Sequence, residues 1–209
     1  MIGQLHNKLV HGRRTTALAD CIAKLLPCGS SVLDVGCGDG IIDLLLRERR
    51  GDIQVRGIDV LVRQNAHIPV TRFDGLKIPF PDRSFDAVLL IDVLHHTQDP
   101  RILLAEAVRV GAVLIIKDHL REGLLAGTTL RAMDWVGNAR YGVSLPYNYW
   151  TRQQWKQVFD ELDLVIEKEV SPRLYPVPLS WVFGRRLHFI SRLRIASSDQ
   201  TQCCTLEKS

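Results

Sequence analysis

Residues 32–40 read VLDVGCGDG, and this stretch decides the fold of the chain. A short apolar run leads into three alternating glycines, and Asp34 and Asp39 flank the first two of them. A strand that ends in such a turn and continues into a helix is typical of cofactor-binding α/β folds, because glycine lets the backbone approach a ligand closely. The two acidic neighbours restrict which ligand this turn accepts.

The charges around the turn favour a cationic cofactor. The free N–H groups at a helix start attract anions, but Asp34 and Asp39 would each repel a pyrophosphate by about 1 to 4 kcal/mol. S-adenosylmethionine carries a sulfonium, an ammonium and an adenosine but no phosphate, and therefore suits the turn better than a dinucleotide. Asp59, about twenty residues further on, accepts from ribose hydroxyls in either cofactor class and does not discriminate between them.

Composition sets the broad class. The chain has 209 residues, of which 46% are hydrophobic and 24% charged, as in one compact domain with a sizeable core. We expect a single domain over residues 1–195 and a disordered tail over residues 196–209. No apolar run approaches the roughly 18 residues of a membrane span, and the N-terminus lacks a signal-peptide pattern, so we expect a cytoplasmic protein. The net charge of +4 is modest, and the oligomeric state is left open.

The five cysteines are scattered, without a C-x-x-C pair or a nearby histidine at metal-ligand spacing. We therefore expect reduced thiols and no metal site.

Apolar runs alternate with helical patterns along the chain. This order predicts a doubly wound, mostly parallel seven-stranded sheet with helices on both faces, a Rossmann-like α/β fold. The predicted strands are residues 31–35, 53–59, 68–73, 85–92, 110–118, 164–170 and 187–193, the last two forming an antiparallel pair at the sheet edge. The sequence also predicts four helices. One ends at Pro27, one begins directly after the glycine turn, one begins at Asp99-Pro100, and one begins at the capping box Thr151-x-x-Gln154.

Three segments in this order resemble a known family. They are VLDVGCGDG (32–40), GID (57–59) and FDGLKIPFPDRSFDAVLLIDVLHHTQDP (73–100). In order and spacing they are similar to the class I S-adenosylmethionine-dependent methyltransferases, in the small-molecule branch called type 11. The resemblance covers roughly residues 15–118. One departure is the shortened VRVGAV (108–113), where these enzymes usually have a Lys-Pro-Gly-Gly-like turn.

The resemblance implies a cofactor site made by the strand ends. It places the methionine end of S-adenosylmethionine at the glycine turn, the ribose at the end of the second strand, and the adenine against the next two loops. The implied residues are Asp34, Gly36, Cys37 and Gly38 for the methionine end, Asp59 for the ribose, Val60, Asp74 and Gly75 for the adenine, and Ile91 as the closing residue of the pocket.

Methyl transfer from a sulfonium is an in-line displacement, so an enzyme mainly supplies alignment and a dry pocket. A base is useful only if the acceptor is a hydroxyl or a protonated amine. The candidates at the strand ends are His95, His96, Asp118 and His119. Packing or cofactor-lining roles are an open alternative for each of them.

The segment 120–150 follows the fifth strand and lies outside the shared core. Its side chains suit a lid that recognises an amphipathic acceptor, since aromatic rings combine apolar area with a polar tip. These side chains are Met133, Trp135, Tyr141, Tyr147, Asn148 and Tyr149. The alternative is a segment that packs on the core or forms a dimer surface.

The sequence leaves three other functions open. A nicotinamide oxidoreductase would have to tolerate two acids near its phosphates. A non-catalytic S-adenosylmethionine-binding module would need no acceptor pocket. An RNA acceptor is the main rival to a small molecule, but the chain has no long basic stripe, so no nucleic-acid partner is expected. The arginines of LSWVFGRRLHFISRLRIA (179–196) are interpreted as solvent-facing residues of an edge strand.

Overall fold

The computed structural model describes residues 2–138, 146–172, 174 and 187–196, and of these it describes only the backbone for 2–11 and 136–138. Its centre is a seven-stranded sheet in the order β3-β2-β1-β4-β5-β7-β6. The strands are β1 (Ser31–Val35), β2 (Gln54–Asp59), β3 (Val70–Arg72), β4 (Phe85–Ile91), β5 (Gly111–His119), β6 (Leu164–Val170) and β7 (His188–Ile195). Pairing is parallel from β3 to β5, whereas β7 is antiparallel to both of its neighbours. The predicted fold class is confirmed.

Helices cover both faces of this sheet. They are α1 (Ile2–Ala23), α2 (Ile41–Arg49), α3 (Pro100–Val110), α4 (Ala126–Asn138) and α5 (Arg152–Glu161). Strand β4 contributes to both cores: Val88 and Leu90 pack in the cluster of α3 and α5, and Ala87 and Leu89 pack in the cluster of α1 and α2. Burial on both faces explains why this strand is apolar almost throughout.

Two helix starts follow directly from their sequence signals. The side chain of Asp99 accepts the N–H of Arg101, and Pro100 occupies the first turn of α3. Thr151 and Gln154 form a reciprocal capping box at the start of α5. Both features satisfy N–H groups that a helix end otherwise leaves without partners.

The shortened turn noted in the sequence is a direct passage from helix to strand. Helix α3 ends at Val110, and β5 begins at Gly111. A Cβ on Gly111 would collide with the side chain of Val88, so only glycine fits between these two strands. The guanidinium of Arg109 donates to the carbonyls of Ile78 and Phe80, at 2.9 and 2.8 Å, and secures the preceding loop to α3.

The interpretation of 179–196 as an edge strand is wrong for its described part. Strand β7 lies between β5 and β6, so β6 is the edge of the sheet. The arginines of β7 are used internally: Arg192 pairs with Glu167 at 2.6 Å and also donates to the carbonyl of Leu25. Both sides of β7 carry ladder hydrogen bonds, which the sequence pattern alone does not reveal.

Two further expectations lie outside the described residues, namely the tail 197–209 and Tyr141 of the candidate lid. Among the helices within the described ranges, none combines the length and apolar character that crossing a membrane requires.

Candidate functional site

The glycine turn joins β1 to α2 at the carboxyl end of the sheet. Gly36, Gly38 and Gly40 have φ angles of 76°, 64° and 72°, in the left-handed region that favours glycine. A Cβ on Gly36 would also lie 2.5 Å from Cγ2 of Val93. Conformation and close packing therefore both require glycine here, as the sequence pattern predicts.

Asp59 ties this turn to the end of β2. Its carboxylate accepts the N–H of Gly38 and the N–H of Leu61, each at 2.8 Å. The N–H of Gly36 donates to the carbonyl of Ile58 at 2.8 Å and braces the turn from the same strand. The turn and Asp59 thus form one rigid unit.

Two buried carboxyl groups lie beneath the turn. Asp34 on β1 is 2% exposed and Asp43 in the first turn of α2 is 0% exposed. Burial raises the pKa of Asp34 to about 7, although the interaction with the neighbouring Asp43 carboxyl opposes the rise. Burial, followed by the charge of Asp34, raises the pKa of Asp43 well above its usual range. The sequence reasoning missed Asp43, whose signal was a lone acid inside the apolar run IIDLLL.

The loops after β2 and β3 meet beside the turn. Val60 is half exposed, and a Cβ on Gly75 would lie 3.0 Å from its Cγ1. Asp74 accepts the N–H groups of Leu76 and Lys77, both at 2.8 Å, and so shapes its own loop. Ile91 differs from these residues, because it is buried in the core on the α1 side of the sheet.

These features fit a cationic adenosine cofactor. The left-handed glycines let the backbone of the turn come close to a ligand, and Oδ1 of Asp34 is buried with no hydrogen-bond donor among the described residues. Carboxylates at Asp34 and Asp59 favour a positive ligand over a phosphate. Cys37 lies in the same site, where burial and then the charges of neighbouring aspartates raise the pKa of its thiol, so the thiol stays protonated.

The four candidate bases gather at the ends of β4 and β5. His95 Nδ1 lies 2.7 Å from Asp118 Oδ1, and His119 Nδ1 lies 3.2 Å from the same oxygen. The ring of His96 lies against that of His95, with 4.1 Å between centroids. On its other side, His95 Nε2 lies 3.4 Å from Oδ2 of Asp134, a residue of α4.

The histidines of this cluster differ in charge. Burial would lower the pKa of His95, but the charges and hydrogen bonds of Asp118 and Asp134 raise it to about 10. Burial and the nearby cations Lys117 and His95 lower the pKa of His119 to about 4. Burial, followed by the charge of His95, also lowers the pKa of His96. Near neutral pH, His95 is therefore an imidazolium and the other two rings are neutral.

A second ion-pair group adjoins this cluster. Lys117 on β5 is fully buried and pairs with Asp92, whose other oxygen receives a hydrogen bond from Arg14 of α1 at 2.6 Å. His188 on β7 lies 3.5 Å from the Lys117 ammonium. The sequence reasoning missed these four residues and Asp134. A lysine inside the apolar strand sequence VLIIK was the available signal.

Ligand atoms of Asp92, His95, Asp118 and His119 lie within 4.8 Å of one another, as do those of His95, His96 and Asp134. Such groups have the residue types that bind a divalent ion. The cluster is already balanced, however: three carboxylates (Asp92, Asp118, Asp134) face three cations (Arg14, Lys117 and the His95 imidazolium). Neutrality of this buried group does not require a metal.

The candidate lid is docked on the strand-end cluster. Ala126, Leu130 and Asp134 form the buried side of α4, and the hydroxyl of Tyr149 donates to Asp134. The amide of Asn148 donates to the carbonyl of Thr97 at 2.7 Å, in the loop that follows β4. Trp135 points away from these contacts and is 62% exposed.

Comparison with known proteins places this site in context. A family model described as "Methyltransferase domain" matches residues 10–169. The chain is 31% identical over 124 residues to the 27-O-demethylrifamycin SV methyltransferase of Amycolatopsis mediterranei (strain S699), with 51% of this chain and 45% of that protein covered. It is 34% identical over 110 residues to the ajmaline N-methyltransferase of Rauvolfia serpentina, with 45% and 38% covered. The chain thus spans less than half the length of these relatives.

A solved structure matches over almost the whole chain. It is a chain of the complex between the Haloferax volcanii Trm112 methyltransferase activator and a methyltransferase, with a TM-score of 0.69 and 19% identity. The match covers 93% of this chain and 95% of that one. At this identity the likeness concerns the fold.

Proposed function

The chain belongs to the methyltransferase-domain family, and from this membership we propose that it transfers a methyl group from S-adenosylmethionine to a small-molecule acceptor. S-adenosylmethionine is the cofactor of this class of enzymes and supplies, when bound, a methyl group activated by its sulfonium. The observation that carries the proposal is the glycine turn held by Asp59 and flanked by acids, which suits a cationic adenosine cofactor.

We assign the binding of this donor to the strand-end loops. Gly36, Cys37 and Gly38, with Asp34 beneath them, hold the methionine end, and Asp59 accepts from the ribose hydroxyls. The adenine contacts Val60, Asp74 and Gly75. Ile91 packs in the core on the α1 side of the sheet, so we assign it the role of supporting the end of β4 and not of contacting the donor.

The strand-end cluster is assigned to the acceptor. Because His95 is protonated and held between two carboxylates, it positions its neighbours and does not take up the acceptor's proton. Asp118 orients His95, while the neutral rings of His96 and His119 supply the proton acceptors. Nδ1 of His96 is buried without a partner among the described residues, so it is the stronger candidate base.

We propose that segment 120–150 contacts the acceptor, because Asp134 and Asn148 of its described part contact the cluster that contains these candidate bases and the loop beside it. The named relatives act on an oxygen of one small molecule and on a nitrogen of another. The proposal is therefore a small organic acceptor, not a nucleic acid, with the acceptor atom open.

The free thiols of Cys21, Cys28 and Cys37 suit a reducing compartment, and we propose the cytoplasm.

Calorimetry tests the donor site directly. We expect S-adenosylmethionine and S-adenosylhomocysteine to bind at about micromolar concentration, and NAD and NADP not to bind. Asp59→Ala should weaken donor binding by about 1.5 to 3 kcal/mol, the scale of charge-assisted hydrogen bonds, while the chain stays folded. The matched control is Asp160→Ala, which removes an exposed acid of α5 that pairs with Lys156.

Equal affinity in wild type and Asp59→Ala would show that Asp59 does not hold the donor. Tight NAD binding would contradict the methyltransferase proposal itself. Methyl-transfer assays with radiolabelled donor, run against a small-molecule library and against RNA, distinguish the two acceptor classes, and transfer to RNA alone would overturn the small-molecule assignment.

A further inference from the structure

The proposed reaction leaves one buried group without a role. Asp43 lies in the first turn of α2, directly behind the glycine turn, and neither of its carboxyl oxygens has a hydrogen-bond donor among the described residues. Oδ1 of Asp34 is equally without a donor, although both residues are buried. Ionised carboxylates only accept hydrogen bonds, so two of them in contact cannot satisfy each other. A single proton between them does satisfy both, as one O–H then donates to the neighbouring carboxylate.

We propose that Asp34 and Asp43 share one proton in the free chain and release it when the sulfonium of the methyl donor binds, so that Asp43 determines the preference for the donor over its demethylated product. This inference rests on the proposed function. It adds a residue of this chain that selects between two ligands which differ by one methyl group and one positive charge.

The surroundings of the pair explain why it holds a proton. Asp39 on the glycine turn and Asp59 at the end of β2 add negative charge from two further elements. The thiol of Cys37 faces the same space and is protonated. The Arg63 guanidinium lies beside Gly38 of the turn. An excess of carboxylates in a buried site favours the protonated form of one of them, as in a carboxylate dyad.

Charge determines the selectivity. The donor carries a sulfonium, an ammonium and a carboxylate, for a net charge of +1, whereas the demethylated product has a neutral thioether and a net charge of zero. In the binding step the O–H bond of the shared carboxylic acid breaks, its proton leaves to the solvent, and the pair changes from one negative charge to two. The second negative charge stabilises the sulfonium but gains little from the neutral thioether.

Calorimetry in two buffers of equal pH but different ionisation enthalpy measures the proton released. We expect wild type to release a substantial fraction of one proton on binding S-adenosylmethionine near neutral pH, and clearly less on binding S-adenosylhomocysteine. Because release of one proton changes affinity by at most about tenfold per pH unit, the ratio of donor to product affinity should rise several-fold between about pH 6 and pH 8.

Asp43→Asn replaces the titrating group with an amide that donates permanently to Asp34. We expect this variant to release no proton and to show a flat ratio of donor to product affinity across the same pH range. The matched control is Asp39→Asn, which removes one neighbouring charge but leaves the pair; it should shift the pH at which the proton is released while retaining the release itself. Infrared spectroscopy of the ligand-free chain gives an independent measure: a carboxylic acid C=O band should be present in wild type and absent in Asp43→Asn.

The outcomes separate the two proposals. If wild type binds neither ligand, the proposed function fails. If it binds both ligands with equal proton release, or if wild type lacks the carboxylic acid band, the shared proton is overturned while the methyltransferase proposal stands. Because both wild-type measurements decide the question, failure of Asp43→Asn to fold would not protect the inference.

Discussion

His95 lies between two carboxylates, with Asp118 at Nδ1 and Asp134 at Nε2, and it is 2% exposed. Asp34 and Asp43 are equally buried, but they face other acids in place of cations. Burial therefore leaves His95 charged at one end of the site and one of the two aspartates uncharged at the other end. His95 keeps its proton because anions surround it, and one of the two aspartates keeps a proton because burial, followed by the charge of its neighbours, disfavours the ionised form.

The charge of His95 predicts how stability depends on pH. Its pKa in the folded chain, about 10, exceeds the value of about 6.5 expected when unfolded, so its stabilisation is complete below about pH 6.5 and is lost as pH rises toward 10. We expect His95→Gln to lower the free energy of unfolding most near pH 6, and the difference from wild type to shrink by about 3 to 5 kcal/mol toward pH 10. Urea denaturation at several pH values measures both quantities.

His67→Gln is the control, since His67 is exposed on the loop before β3 and contacts the fold through its backbone N–H. A constant difference between wild type and His95→Gln across the whole pH range would show that His95 is neutral in the folded chain. That result would also return His95 to the list of candidate bases.

Sequence reasoning at this scale found residues whose position along a strand marks them. Asp59, Asp118 and His119 end strands, and strand ends meet at one edge of a parallel sheet. Asp134 and Arg14 could not be found in this way, because they reach the site from helices whose docking depends on tertiary packing. In α4 the buried series Ala126, Leu130, Asp134 repeats every four residues and ends in an acid, which becomes informative only when its partner is known.

At the scale of elements, the strand pattern predicted the parallel part of the sheet well, since β1, β4 and β5 are buried on both faces. The strand pattern did not predict that β7 lies between β5 and β6. Arginines at alternate positions of β7 suggested side chains that face solvent. In the structure, Arg192 and Arg194 pair with Glu167 of the neighbouring strand. A charge pattern within one strand does not specify the charge of its neighbour.

The contacts of α4 with the cluster predict how fast its amide hydrogens exchange. Asp134 fixes this helix to the cluster through His95 and the hydroxyl of Tyr149. Asp134→Asn removes the charge from these hydrogen bonds, which are worth about 1.5 to 3 kcal/mol when charged, so amides of residues 126–135 should exchange about 10 to 100 times faster. Hydrogen exchange with mass-spectrometric detection measures this with and without S-adenosylhomocysteine.

Trp135→Ala is the matched control for α4, because Trp135 neighbours Asp134 and is mostly exposed; its stability should change by less than about 0.5 kcal/mol. If both variants exchange equally fast, the helix is held by Ala126 and Leu130 alone and the contact with His95 contributes nothing. A loss of several kcal/mol in Trp135→Ala would instead indicate that this side chain packs in a core or a dimer surface, against the lid proposal.

Across the whole molecule, one buried polar network connects helix α1 with strands β5 and β7. Arg14 of α1, Asp92 after β4, Lys117 of β5 and His188 of β7 are linked in a series beneath the strand-end cluster. Burial lowers the pKa of Lys117, but its pairing with Asp92 opposes this effect. Charges at such a depth are tolerated because each has a partner, and removing one partner leaves the other uncompensated.

Lys117→Met should therefore lower the free energy of unfolding by about 3 to 5 kcal/mol, as expected when one member of a buried ion pair is removed. The double variant Lys117→Met/Asp92→Asn should recover part of this loss, since it also removes the carboxylate that the single variant leaves in excess. Lys156→Met is the control: its pair with Asp160 is exposed and should contribute at most about 1 kcal/mol. A double variant that loses the sum of the two single effects would show that Lys117 and Asp92 act independently. Each group would then stabilise the fold through its other neighbour, Asp92 through Arg14 and Lys117 through His188, and not through their mutual ion pair.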